Sequence, residues 1–180
     1  MIAAQFPPER RWLALDFDAD RSAVMDAAWE RYEIAHFATH ALIDTRNPEL
    51  SGIVLSLYDR DGAPTDGYLR ITDIYNMHMP AELVVLSACD SAADSAALGN
   101  DVFTLADAFF FAGAPRLLAS LWAVNDEAAA AFMTHFYKAL MRPNATPATA
   151  LKAAKQRLSL DPRWHSAAYW SAFVLQGDWR

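Results

Sequence analysis

A single cysteine, Cys89, is all the chain carries, so no intrachain disulfide can form and a reducing, cytoplasmic setting is expected. No apolar run approaches the ~18 residues that a membrane-spanning helix needs. The opening residues, MIAAQFPPERR, do not set a basic region ahead of an apolar stretch, so no signal peptide is expected. Positive charge is in short supply. The net charge of −7 argues against nucleic-acid or membrane partners held by bulk electrostatics. Internal repeats and low-complexity tracts are missing, as is a His, Cys and carboxylate cluster with metal-ligand spacing, and no cofactor is expected. What the chain does have is 54% hydrophobic and 21% charged residues in a length of 180, which suits one folded domain rather than a disordered segment. Residues 1–180 are read as that domain, with 1–10 as an irregular lead-in.

Apolar patterning divides the chain into strands and helices. Residues 81–88 (AELVVLSA) carry four consecutive aliphatic positions, Leu83 to Leu86, a pattern that requires burial on both faces of a parallel sheet. Buried strands are also expected at 33–39, 116–124 and 168–177. An edge strand is expected at 11–17, and a hairpin at 53–71 turns at Asp61-Gly62. Helical spacing is found at 21–32, 102–114, 126–141 and 146–158, with a short helix at 72–77. Their start signals are Asp20 or Ser22, Thr72, Asp126, and Thr146 followed by Pro147; Gly113 is a stop. Strands that alternate with helices indicate an α/β fold, a three-layer sandwich with helices on both faces of a mostly parallel sheet.

Two segments carry chemistry. HFATH holds His36 and His40, and LSAC ends on Cys89. The histidines admit a metal reading, a packing reading and a catalytic one. The metal reading lacks the intervening glutamate of the HExxH zinc motif and falls on a strand rather than a helix. The packing reading treats histidine and cysteine as ordinary semi-buried residues. The catalytic reading rests on topology. His40 follows the strand 33–39 and Cys89 follows the strand 83–88, so if the two run parallel in one sheet, both lie at its carboxyl edge, where open α/β sheets hold their active sites. A thiol with a pKa near ~8.5 needs a neighbouring imidazole to act as a nucleophile at neutral pH.

HFATH and VVLSAC together resemble the CHAT domain, a caspase-like module often joined to tetratricopeptide repeats. The resemblance extends in order through PELSGIVLSL, DGYLRITDIYNM, LADAFFFAGAPRLLASLWAVNDEAAAAFMTHFY, ATALKAAKQRL and YWSAFVLQGDW, from about residue 11 to the C-terminus. The family is grouped with the caspase, separase and gingipain cysteine peptidases, which share an α/β sandwich with His and Cys at the ends of neighbouring strands. The resemblance implies His40 as the catalytic histidine and Cys89 as the nucleophile. It also implies the amides of Ala41 and Cys89 as the oxyanion hole, and His36 as a packed, non-catalytic position. Ser120, Leu121 and Trp122, on the strand that follows the cysteine's helix, are implied as pocket residues. Asp90, beside the nucleophile, is a candidate for attracting a basic side chain.

The sequence departs from the family at two places. Ala41 stands where relatives carry glycine, and DSAADSAALGND follows Cys89 where relatives carry a glycine-rich stretch. The family's preceding strand and helix have no counterpart before residue 11, so the chain is expected to lack the N-terminal part of the family domain. Two functions of different class follow. One is a cysteine endopeptidase acting on a protein or peptide substrate. The other is a catalytically silent interaction module in a signalling assembly, with tetratricopeptide repeats or other proteins as partners.

Overall fold

The computed structural model describes residues 2–44, 46–87, 89–90 and 101–178, and only the backbone at 89–90 and 101–104. In chain order its regular elements are α1 (Arg21–Met25), β1 (Ile34–Phe37), β2 (His40–Leu42), β3 (Gly52–Val54), β4 (Tyr68–Arg70), α2 (Ile71–Tyr75), β5 (Leu83–Leu86), β6 (Cys89–Asp90), α3 (Asp101–Phe111), β7 (Arg116–Ser120), α4 (Asp126–Leu140), α5 (Pro147–Ser159), α6 (Ala167–Trp170) and β8 (Phe173–Gly177). The strands form two four-stranded sheets. The central one has the order β1-β5-β7-β8 and the second the order β4-β3-β2-β6.

In the central sheet β1, β5 and β7 run parallel, and β8 closes the far side antiparallel. All four residues of β5 are buried because the strand is interior and covered on both faces. Alternate side chains serve different cores. Val84 and Leu86 join Phe37, Leu117, Ala119 and the α3 residues Leu105, Ala106 and Phe109 on one face. Leu83 and Val85 join Leu118, Phe173 and the inward stripes of α4 and α5 on the other. The fold is therefore the expected mixed α/β sandwich, with helices on both faces of a mostly parallel sheet. Among the described residues, no helix is long and apolar enough to cross a membrane.

Several boundaries differ from the sequence expectation for local reasons. Residues 11–17 are not a strand: Asp16 takes a positive φ of 50° and opens a 3-10 turn over Asp16–Asp18, which ends the extended run. The helix expected over 21–32 stops at Met25. Asp20 caps its start by accepting from the Ala23 amide, but buried Trp29 turns the chain inward and its indole donates to the Val24 carbonyl. Helix α2 starts at Ile71 rather than after Thr72, and the Asp73 carboxylate accepts from the Arg70 amide at 2.9 Å. Asn125, not Asp126, caps α4, its side chain accepting from the amides of Glu127 and Ala128. The strand expected over 116–124 ends at Ser120, and in the 168–177 segment a turn of helix precedes β8. Thr146 and Pro147 open α5 as their residue types predict. Gly113, with φ +115°, ends α3 in a Schellman arrangement, in which the Ala114 amide donates to the Phe109 carbonyl and the Gly113 amide to that of Phe110.

Candidate functional site

The strands β1 and β5 pair with Phe37 opposite Leu86, and the ladder continues as the Ser87 amide donates to the Phe37 carbonyl. Both chains then pass into the second sheet, where β2 and β6 pair, again parallel, with His40 opposite Cys89 and Ala41 opposite Asp90. The offset between partners is the same 49 positions in both sheets. One parallel pair thus runs through the junction of the two sheets, and the histidine and the cysteine are register partners just beyond the carboxyl end of the central sheet. His40 follows β1, as expected, and itself opens a separate strand, β2.

That strand is held from its other side by the β3–β4 hairpin. β2 pairs antiparallel with β3, His40 opposite Val54, and β3 with β4. The Thr39 hydroxyl donates to the Val54 carbonyl at the break between β1 and β2. Sequence inspection had no signal for this role of Thr39, because the hydroxyl's acceptor lies on a distant strand. Gly52 lets β3 approach β4 closely: a Cβ there would come within 2.4 Å of the Leu69 carbonyl oxygen.

Hydrogen-bond alternation fixes the direction of the Ala41 amide. The Ile71 amide donates to the Ser51 carbonyl and the Leu55 amide to the Gly67 carbonyl, so odd-numbered residues of β3 face β4 and even-numbered ones face β2. His40 and Leu42 therefore bond to β3, and the N–H of Ala41 is directed towards β6. Ala41 is buried and is not among the residues with positive φ, so it does not use the conformational freedom that glycine would bring. His40 is exposed on the solvent side of β2.

The other candidate positions gather along the same edge. β7 lies beside β5, with Ala119 opposite Leu86, so Ser120 ends β7 level with the exit of β5. Leu121 continues the pairing to the chain ahead of β8, its amide donating to the Ala172 carbonyl. The Trp122 indole donates to the Ala168 carbonyl at 3.0 Å, and its ring packs against the core on the α4 face. Asp90 is placed by its backbone alone, opposite Ala41. The segment 91–100, in which the post-cysteine loop departs from the family, lies outside the described residues.

His36 has a different environment from His40. Its ring stacks on Tyr137 of α4, with centroids 5.6 Å apart, and Nδ1 lies 2.9 Å from the tyrosine hydroxyl. Nε2 is shielded from solvent with no hydrogen-bond partner among the described residues. Burial depresses the His36 pKa to about 4 and raises that of Tyr137, so both are neutral at physiological pH. Nδ1 is thus engaged with α4, whereas His40 stands on the second sheet. Among the described residues no group of three or more His, Cys, Asp or Glu side chains is placed to hold a metal ion.

A mixed α/β sandwich whose parallel strands carry a histidine and a cysteine side by side out of the sheet has the plan of a caspase-like, peptidase-related module. The chain belongs to the CHAT domain family, whose match covers residues 1–178. It is also similar to human (Homo sapiens) Tetratricopeptide repeat protein 28, 27% identical over 191 residues. That similarity covers 89% of this chain but 8% of the human protein, so the chain spans a small part of that relative's length.

Proposed function

We propose that the chain is a cysteine endopeptidase of the caspase-like kind, with His40 and Cys89 as its dyad. The observation that carries this reading is the parallel register that pairs these two residues across neighbouring strands. Such strands lie about 4.8 Å apart, close enough for an imidazole and a thiol to exchange a proton. In the proposed reaction His40 takes the thiol proton as the sulfur of Cys89 attacks a peptide carbonyl, and the tetrahedral oxyanion is met by the amides of Ala41 and Cys89. Collapse breaks the C–N bond. The imidazolium returns its proton to the leaving amine, and an acyl thioester remains. Water, deprotonated by His40, then attacks the thioester; the acid product leaves and the thiol is restored.

Ser120, Leu121 and Trp122, at the same edge, are proposed to flank the residue on the acyl side of the cleaved bond, with Asp90 favouring a basic side chain there. Protein partners are proposed on the similarity to a protein named for its tetratricopeptide repeats. Incubation with a diverse peptide library, read by mass spectrometry, tests the reading. Cleavage by the parent and none by Cys89→Ala supports it. Equal product profiles from the two proteins would instead favour the silent interaction module.

A further inference from the structure

The chain is acidic overall, yet one groove is lined by cations. It runs between α4 and α5 on the helical layer, and its floor is made of the small side chains of Ala139 and Ala153. His135 and Lys138 lie one turn apart on α4, and Arg142 follows just past the helix's C-terminal end; all three line the groove. Arg157 faces them from α5, and Leu160, 77% exposed, stands at the end of the helix pair. No carboxylate belongs to the lining. None of Lys138, Arg142 or Arg157 forms an ion pair among the described residues. Asp161, whose charge acts on His135, is already engaged by the Arg163 guanidinium at 2.8 Å and by the Arg163 amide. Burial first, and then the charges of Arg157 and Lys138, lower the pKa of His135, against an opposing pull from Asp161.

We infer that this groove is a docking site for an acidic segment of a partner protein, with carboxylates set against Lys138, Arg142 and Arg157 and an apolar side chain against Leu160. Unpaired cations that converge on a concave surface complement several negative charges at once. The net charge of −7 works against a long polyanion such as nucleic acid, which would extend beyond the groove, whereas a short acidic segment stays within the positive field. An isolated inorganic anion would leave exposed Leu160 without a purpose. The site lies on the helical layer and does not depend on the peptidase reading.

The probe is a fluorescein-labelled glutamate-rich peptide with a central leucine, followed by anisotropy at low salt. Saturable binding is expected, equal in the parent and in Cys89→Ala. Lys138→Glu, Arg142→Glu and Arg157→Glu, all at exposed positions, are each expected to weaken it about fivefold or more. Ala153→Leu is expected to weaken binding by filling the floor with every charge intact, and exchange of the peptide's leucine for serine should weaken it too. Thermal unfolding of each variant verifies that it is folded. The inference is overturned if the parent shows no saturable binding, or if the charge reversals leave binding unchanged. Tighter binding of single-stranded RNA than of the peptide, lost in the same variants, would overturn it in favour of nucleic acid. Binding of inorganic phosphate alone, with no gain from the peptide, would reduce the groove to a simple anion site.

Discussion

His40 and Ala41 are adjacent on β2, yet one is exposed and the other buried, because successive side chains of a strand take opposite faces. The alternation puts the imidazole in solvent while its neighbour's amide lies in the sheet plane, directed at β6. Ala41 adopts no positive φ. Replacing it with glycine should therefore change any peptidase rate by no more than about twofold, while the added backbone freedom lowers stability by about 0.5–1 kcal/mol. A large gain in rate for Ala41→Gly would show that alanine had been holding the donor out of line. His36 yields a pH prediction. Its pKa in the fold, about 4, lies below the ordinary 6.5, so the unfolded chain takes up a proton that the folded chain refuses. The His36 contribution to stability is thus fully kept above pH 6.5. It declines as the pH falls towards about 4, by a total on the order of 3 kcal/mol. Urea unfolding across that window should show a shallower loss for His36→Gln than for the parent; parallel curves would contradict the assignment.

Sequence patterns were most legible in single elements whose burial is one-sided or complete. The unbroken Leu83–Leu86 run foretold an interior strand, and the apolar stripe of 126–141 foretold α4. Boundaries set by distant contacts were hidden. Trp29 ends a helix because it must reach the core, and β1 and β2 separate within HFATH where Thr39 finds its acceptor on β3. Caps depend on a one-residue choice. Asn125 and Asp126 are both good capping residues, and only the backbone direction decides between them. Asn125→Ala should cost about 1 kcal/mol of stability by urea unfolding. Asp126→Ala should cost only a few tenths, through the helix dipole. The reverse order would assign the cap to Asp126.

At the scale of the whole molecule, a parallel pair joins the two sheets, leaving the central sheet at Phe37 and Leu86 and re-forming at His40 and Cys89. The juxtaposition of the two candidate residues was legible in the sequence because each follows a strongly patterned strand. That they stand on a second sheet, braced by the β3–β4 hairpin, was not, since β2 and β6 are too short to carry any periodicity. The brace makes the site sensitive to a remote change. Gly52→Ala would drive a methyl group against the Leu69 carbonyl. It should cost about 1–3 kcal/mol, as overpacking typically does, and should also slow reaction at Cys89 by loosening β2. Unaltered stability in that variant would show that the hairpin can shift freely.

The central claim is that His40 activates Cys89, and the rate of iodoacetamide alkylation at Cys89, followed by mass spectrometry at neutral pH, tests it without requiring a substrate. An ordinary thiol is only a few per cent ionised there, so an effective imidazole partner has ample room to raise the rate. Fast labelling in the parent, slowed about tenfold in His40→Ala and unchanged in His36→Gln, is the predicted result. Equal labelling rates in the parent and in His40→Ala would contradict it.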